Sequence, residues 1–191
     1  MSVHKILILG DKNVGKRSFK QKLQKDESDN EDITAMTMNR FLSWNIDDKA
    51  LRIEFKIVEP DEYAAIRDSF YRTASGFICM FSVDSPESLQ TIEKMYEQIL
   101  AVRSQTRLIL CGNKCDLPKK SRKISKRDAK KLAKKWKAEY FETSVVNNEN
   151  LEDCLDLLLR AIVEKKHTRK VRERSSWKAT LDRFKYYNCL Q

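Results

Sequence analysis

The sequence predicts a doubly wound α/β domain, a mostly parallel sheet with helices on both faces. Three observations carry the prediction. Short apolar runs alternate with longer amphipathic ones as far as residue 167, the pattern of repeated βα units. Residues 76–83 and 107–111 are nearly continuous apolar runs, as strands buried on both faces are. The first apolar run, residues 3–9, leads directly into Gly10-Asp11-Lys12-Asn13-Val14-Gly15-Lys16 and then a helix-like stretch. That order of strand, glycine-bounded loop, lysine and helix is the layout of a phosphate-binding loop.

The elements follow in order. Residues 3–9 read as a buried strand and 16–25 as the first helix. Residues 39–46 and 50–58 read as a hairpin turning at Asp47-Asp48-Lys49. In its second arm Leu51, Ile53, Phe55 and Ile57 alternate with Arg52, Glu54 and Lys56, the period of a half-exposed strand. Residues 62–73 read as a helix and 76–83 as a central strand. Ser85-Pro86-Glu87-Ser88 supplies an N-cap serine and a first-turn proline for a helix over 86–103. Residues 107–111 form the fifth strand. Ser125 with Asp128 is a weaker capping pattern for a helix over 125–138. Tyr140-Phe141 begin a sixth strand, and 149–167 reads as the last helix. Residues 1–167 are expected to be one domain. Beyond it the apolar periodicity stops, and residues 168–191 read as a basic tail.

Composition narrows the class. Apolar residues make up 41% of the 191, enough for a core, and four Gly and three Pro exclude a loop-rich or fibrous chain. No 18-residue apolar run marks a membrane span, and residues 1–5 run straight into a strand, so no signal peptide is expected. Cys79 and Cys111 lie in apolar runs and read as small core hydrophobes. Cys111 and Cys115 have metal-like spacing without a second Cys/His pair, so no metal centre is expected there. A reducing, cytoplasmic location follows. The net charge of +10 is uneven: residues 1–116 carry 17 basic and 18 acidic side chains, and residues 117–191 carry 21 and 10. Such asymmetry predicts an acidic surface as partner.

Two motifs carry chemistry. In the first, Gly10, Asn13, Val14, Gly15 and Lys16 are placed to cradle phosphates, Gly15 by letting backbone N–H groups turn inward and Lys16 by its charge. The usual pattern continues with Ser or Thr, whose hydroxyl binds Mg²⁺. Here Arg17 stands in that place and Ser18 comes one residue late. The second motif, Asn113-Lys114-Cys115-Asp116, follows the fifth strand. An acceptor-only carboxylate at Asp116 takes two N–H donors from guanine and finds no such pair on adenine.

With these residues in place the chain resembles a Ras-family small GTPase, nearest in texture to the Ras and Ral branch, over residues 3–167. Glu62-Tyr-Ala-Ala-Ile-Arg-Asp-Ser-Phe-Tyr-Arg72, Gly76-Phe-Ile-Cys-Met-Phe-Ser-Val83, Glu97-Gln98-Ile99-Leu100 and Glu142-Thr143-Ser144 also carry the likeness. The resemblance implies the P-loop small G-protein fold with six strands and five helices, bound GTP or GDP with Mg²⁺, effector and regulator proteins as partners, and a monomer. It also implies that Ser144 and Val145 close the base side of the pocket.

The departures from the family pattern sit at one end of the site. Arg17 cannot accept a metal bond; Ser18 replaces the missing ligand only if the helix start shifts by a residue, and a guanidinium near the phosphates instead supplies part of the cation's charge. Asp11 and Lys12 put bulk where an attacking water or an arginine finger belongs. The family's DxxGQ motif is missing: residues 57–63 read Ile-Val-Glu-Pro-Asp-Glu-Tyr. The N–H that would reach the γ-phosphate and the Gln that would orient water are both gone, and Pro60 has no N–H at all. Glu59 or Asp61 is either an acidic stand-in toward Mg²⁺ or a charge that repels the γ-phosphate. The switch threonine that senses Mg²⁺ is Thr34 or Thr37. Five carboxylates within residues 26–32 further disfavour a triphosphate. No catalytic residue is assigned. The expectation is a guanine-nucleotide-binding signalling protein with weak or absent GTP hydrolysis, GDP being easier to hold than GTP. The alternative is a pseudo-GTPase scaffold without a nucleotide switch.

Two basic segments remain. Residues 119–137 hold eleven Lys or Arg and a single acid, Asp128. On a helix from 125, Ala129, Leu132, Ala133 and Trp136 fall on one face and pack inward, and the lysines face out. The tail mixes bases with Trp177, Phe184, Tyr186 and Tyr187, a composition suited to an anionic membrane face, so peripheral attachment at the inner plasma membrane is expected. Only two residues follow Cys189, one short of a prenylation box. Nucleic acid is not an expected partner, because no recognition motif is present.

Overall fold

The computed structural model describes residues 3–25, 41–47 and 49–167. The order is β1 (Val3–Leu9), α1 (Lys16–Lys25), β2 (Leu42–Ile46), β3 (Lys49–Val58), α2 (Ala64–Thr73), β4 (Gly76–Ser82), α3 (Pro86–Val102), β5 (Leu108–Asn113), a 3₁₀ turn (Lys119–Ser121), α4 (Lys126–Trp136), β6 (Glu139–Thr143) and α5 (Leu151–His167). The six strands form one sheet in the order β2-β3-β1-β4-β5-β6. Only the β2–β3 pair is antiparallel. The predicted fold class and the order of its elements are those observed.

Side-chain alternation along the central strands explains the two layers. In β1, Ile6 and Ile8 enter the core beneath α1 and α5. Leu7 and Leu9 enter the core beneath α2, α3 and α4. Met80 and Ile109 join the first core, Phe81 and Leu110 the second. A strand with helices on both sides has no polar face, hence the near-continuous apolar runs. Each large side chain fully buried here stabilises the domain by about 1.5–3 kcal/mol.

Element ends differ from the sequence reading where backbone chemistry intervenes. β5 extends two residues further than expected, to Asn113, because Gly112 and Asn113 pair with Phe81 and Ser82 on one side and Glu142 and Thr143 on the other. α4 stops at Trp136: Lys137 turns left-handed (φ 55°) and the Ala138 N–H returns to the Ala133 carbonyl at 2.9 Å. α5 starts at Leu151 because Asn148 and Asn150 take φ 53° and 57° and residues 144 and 149 form a bridge. The predicted caps Ser85 and Ser125 accept from the N–H groups of Ser88 and Asp128. Residues 39 and 40 of the expected hairpin, and Asp48 of its turn, lie outside the described residues.

The parallel register decides where a site can form. Leu9 pairs with Val58, and Ser82, Asn113 and Thr143 lie abreast. The segments leaving β1, β3, β4, β5 and β6 therefore emerge along one edge. β1 has β3 on one side and β4 on the other, which makes its carboxyl end the switch point where such sheets bind ligands.

Candidate functional site

The loop leaving β1 is shaped by three left-handed residues. Gly10, Asn13 and Gly15 have φ of 146°, 62° and 99°, conformations that Gly and Asn adopt most readily. A Cβ at Gly10 would lie 2.2 Å from the Met80 carbonyl oxygen, and one at Gly15 would lie 2.3 Å from Asn113 Nδ2. The backbone thus passes against β4 and the β5 motif with no room for side chains. α1 begins at once, with the Phe19 N–H closing on the Gly15 carbonyl at 2.8 Å. The N–H groups of Lys16, Arg17 and Ser18 start the helix without i−4 partners. Together with the helix dipole they form a seat for an anion.

Lys16 is 4% exposed, and its ammonium is fully engaged. Nζ donates to the Gly10 carbonyl at 3.0 Å, the Asp11 carbonyl at 2.5 Å and Glu59 Oε2 at 3.0 Å. An ammonium has three donors, so all three are used within the protein. Two of the bonds shape the loop. The third goes to a carboxylate just past β3. A second ion pair lies beside it: Lys12 Nζ meets Asp61 Oδ2 at 2.8 Å. Hydrogen bonding between the two holds the Lys12 pKa up and the Asp61 pKa down. Asp11 is drawn the other way, accepting from Thr91 of α3 at 3.1 Å and from the Lys12 N–H at 2.7 Å. Asp11 and Lys12 are therefore occupied by specific partners.

The motif after β5 is braced against this loop. Asn113 is buried. Its Nδ2 donates to the Val14 carbonyl at 2.8 Å, and its Oδ1 accepts from Thr143 Oγ1 at 3.1 Å. One side chain thus ties the β1 loop to β5 and β6. Ser144 Oγ donates to Asp116 Oδ1 at 2.6 Å and accepts from the Asn147 N–H at 3.1 Å. Asp116 is exposed, with its second oxygen unclaimed among the described residues. Lys114 takes φ 65° and reaches Asp84 Oδ1 at 3.9 Å. A hydrogen bond from Ser82 holds the Asp84 carboxyl below its ordinary range. Val145 is half-buried and packs on the core beneath α5.

The arrangement gathers Gly10, Asn13, Val14, Gly15, Lys16, Asn113, Lys114, Asp116, Ser144 and Val145 along one edge of the sheet. Arg17 and Ser18 are exposed in the first turn of α1. α1 starts at Lys16, which makes Arg17 its second residue and Ser18 its third. Thr34, Thr37 and the acidic run 26–32 lie outside the described residues. Cys111 is buried with its Sγ 3.1 Å from Thr143 Oγ1, while Cys115 Sγ points to Glu149 Oε2 at 3.4 Å. The two cysteines do not form a pair. Burial and the Glu149 contact push the Cys115 thiol up to about 12. Three contributors were missed from sequence: Thr143, which holds Asn113, Thr91, which holds Asp11, and the use of Glu59 against Lys16. Glu142-Thr143-Ser144, as a short local match, pointed toward the first, and Glu59 was read as an acid at the phosphate end without its partner Lys16.

Guanine with a diphosphate fits what is present. The Gly10 and Gly15 cradles, the α1 N-terminus and the free oxygen of Asp116 are the parts such a ligand needs. Toward a third phosphate and Mg²⁺ the lining differs: Lys16 Nζ is paired with Glu59 at 3.0 Å, and Arg17 brings no oxygen to the helix start.

Comparison with known proteins places the chain. A family model described as Ras family matches residues 5–164. The Ras-related protein Ral-a of Drosophila melanogaster is 32% identical over 170 residues, covering 86% of this chain and 83% of that protein. The Ras-like protein rasC of Dictyostelium discoideum is 32% identical over 161 residues, covering 83% and 85%. The Ras-related protein O-RAL of Diplobatis ommata is 31% identical over 172 residues, covering 87% and 82%.

Proposed function

The chain belongs to the Ras family of small GTP-binding signalling proteins, and on that premise we propose that it holds guanine nucleotide mainly as GDP and hydrolyses GTP weakly or not at all. Asp116 and Asn113 hold and brace the base, Ser144 orients Asp116, and Val145 closes that side. The loop from Gly10 to Gly15 and the α1 N-terminus receive the α- and β-phosphates. Lys16 shapes the loop and faces the phosphates with its charge. The base and phosphate groups of the nucleotide supply anions and donors; the residues here bind and orient them.

The observation that carries this reading is the 3.0 Å contact between Lys16 Nζ and Glu59 Oε2. A carboxylate there adds negative charge where a third phosphate would come. Two unit charges 4 Å apart near a protein surface interact by about 4 kcal/mol. That magnitude is enough to separate di- from triphosphate by a large factor unless Glu59 moves. The segment after β3 carries no Asp-x-x-Gly-Gln, whose glutamine would orient an attacking water. Exchange factors and effectors of the Ras type are the proposed protein partners of residues 1–167. The basic segment 168–191, outside the described residues, is the proposed peripheral membrane attachment of a monomer at the inner plasma membrane.

Titration with fluorescent GDP, GTP and ATP tests the reading. Binding in the order GDP above GTP, with ATP not bound, is expected. Equal affinity for GDP and GTP contradicts it. The second reading, a pseudo-GTPase scaffold, is favoured by the same Lys16–Glu59 pair together with Lys12–Asp61, which tie the β1 loop to the segment after β3. Tyr63 and Ile66, exposed a few residues after Asp61 in the sequence, are the apolar side chains such a scaffold would offer. Failure to bind any guanine nucleotide selects it.

A further inference from the structure

Ten of the eleven lysines and arginines in residues 119–137 are exposed; the eleventh, Arg122, is held by Glu142. Counterions within the protein are few. Lys131 meets Asp128 at 3.5 Å, and Lys126 reaches Glu142 at 3.8 Å, where Arg122 is already bound. The other eight exposed cations have no salt bridge among the described residues. We propose that the outer face of α4 is a docking surface for an anionic phospholipid bilayer, with the domain lying on the membrane along this helix.

Local helix physics does not account for these charges. Lys126 and Arg127 stand in the first turn, against the positive end of the helix dipole. Lys126, Lys130 and Lys134 repeat at i+4, as do Arg127, Lys131 and Lys135, and like charges at that spacing destabilise a helix. At 100° per residue the six side chains sweep an arc of about 180°. Asp128 borders that arc, and Ala129, Ala133 and Trp136 are buried on the side turned to the sheet. The cationic half-cylinder is thus continuous along the exposed side of α4.

The chemistry of the face selects a bilayer over a nucleic acid. Nine of the ten exposed cations are lysine. Ammonium groups act as point charges suited to a diffuse anionic plane, whereas reading of nucleic-acid base edges favours the bidentate guanidinium. The face also lacks a base-stacking platform: Trp136 is buried and stacked on Tyr96, ring centroids 4.1 Å apart. The face sits on α4, outside the nucleotide-binding edge, and the inference does not depend on the nucleotide reading. It adds a second, rigid contact to the proposed attachment through residues 168–191.

Vesicle sedimentation with the full chain tests it. Phosphatidylcholine vesicles with and without phosphatidylserine are compared at low and high salt. The wild type is expected on the phosphatidylserine vesicles alone and to be released by salt. Replacing Lys130, Lys131, Lys134 and Lys135 together by Gln should weaken binding by about tenfold or more; replacing the same four by Arg should preserve it. All four positions are exposed, and the cooperative melting transition of each preparation by circular dichroism reports folding separately. Full binding by the Gln variant overturns the proposal. So does loss of binding by the Arg variant, or displacement of the wild type from vesicles by equimolar single-stranded RNA. A companion variant neutralises Arg169, Lys170, Arg172 and Arg174. If it alone abolishes binding while the α4 Gln variant binds normally, the α4 surface is overturned and the attachment through 168–191 stands.

Discussion

Lys16 and Glu59, 43 residues apart in sequence, meet at 3.0 Å at the carboxyl end of β1. The lysine that a phosphate loop normally presents to its ligand already carries an anion supplied by the protein. Beside it Lys12 and Asp61 repeat the arrangement at 2.8 Å on the surface. The two pairs join the β1 loop to the segment after β3.

Replacing Glu59 by Gln removes the charge and leaves the size of the side chain. GTP affinity should rise more than GDP affinity, shifting their ratio by about tenfold or more. Competitive displacement of fluorescent GDP measures both. An unchanged ratio means that Glu59 does not discriminate the third phosphate.

Asn113→Ala should disable the site from inside. It removes the bonds to the Val14 carbonyl (2.8 Å) and from Thr143 (3.1 Å), both buried. Leaving two buried groups unpaired costs about 1–3 kcal/mol each. Urea unfolding should show a loss of at least about 2 kcal/mol, with guanine-nucleotide binding lost in parallel. A fully stable variant would mean that the β1 loop does not depend on this brace.

How much of this was legible in sequence depends on the kind of contact. Apolar periodicity marked every strand and helix, because burial on a sheet repeats every two residues and on a helix every 3.6. The base motif was legible because its residues are contiguous and follow a strand. The Lys16–Glu59 pair was not. It depends on the path of the segment after β3, which brings together two residues 43 positions apart. Thr143 was missed as a brace because a threonine ending a strand reads equally well as a β-former. The start of α5 was misplaced because the left-handed tendency of Asn148 and Asn150 was not weighed, and the bridge between residues 144 and 149 leaves no mark in the sequence.

Acid should loosen the edge of the sheet at β6. Burial pushes the Glu142 pKa up, but hydrogen bonds from Arg122 and Tyr140 outweigh it and hold the carboxyl below its ordinary range. A depressed carboxylate contributes stability above its unfolded pKa and loses it as pH falls through the folded value. Melting temperature should therefore fall below about pH 4.5. Glu142→Gln should lower stability at neutral pH and flatten that acid limb. An acid limb identical to wild type would assign the loss to other carboxylates.

Arg17→Ser restores a hydroxyl at the second position of α1 while leaving the helix start at Lys16. Nucleotide release should become slower in Mg²⁺ than in EDTA, a difference expected to be small in the wild type. Release rates with equal metal dependence in both proteins would show that some other group already serves the cation.

The most direct measurement is the identity of the nucleotide carried by the purified full chain. The protein is denatured and the released small molecules are separated by chromatography, after preparation in Mg²⁺ and in EDTA. The account predicts guanine nucleotide, recovered predominantly as GDP from both preparations. Release of GTP as the main species, or an empty protein that takes up neither GDP nor GTP when they are added, would contradict it.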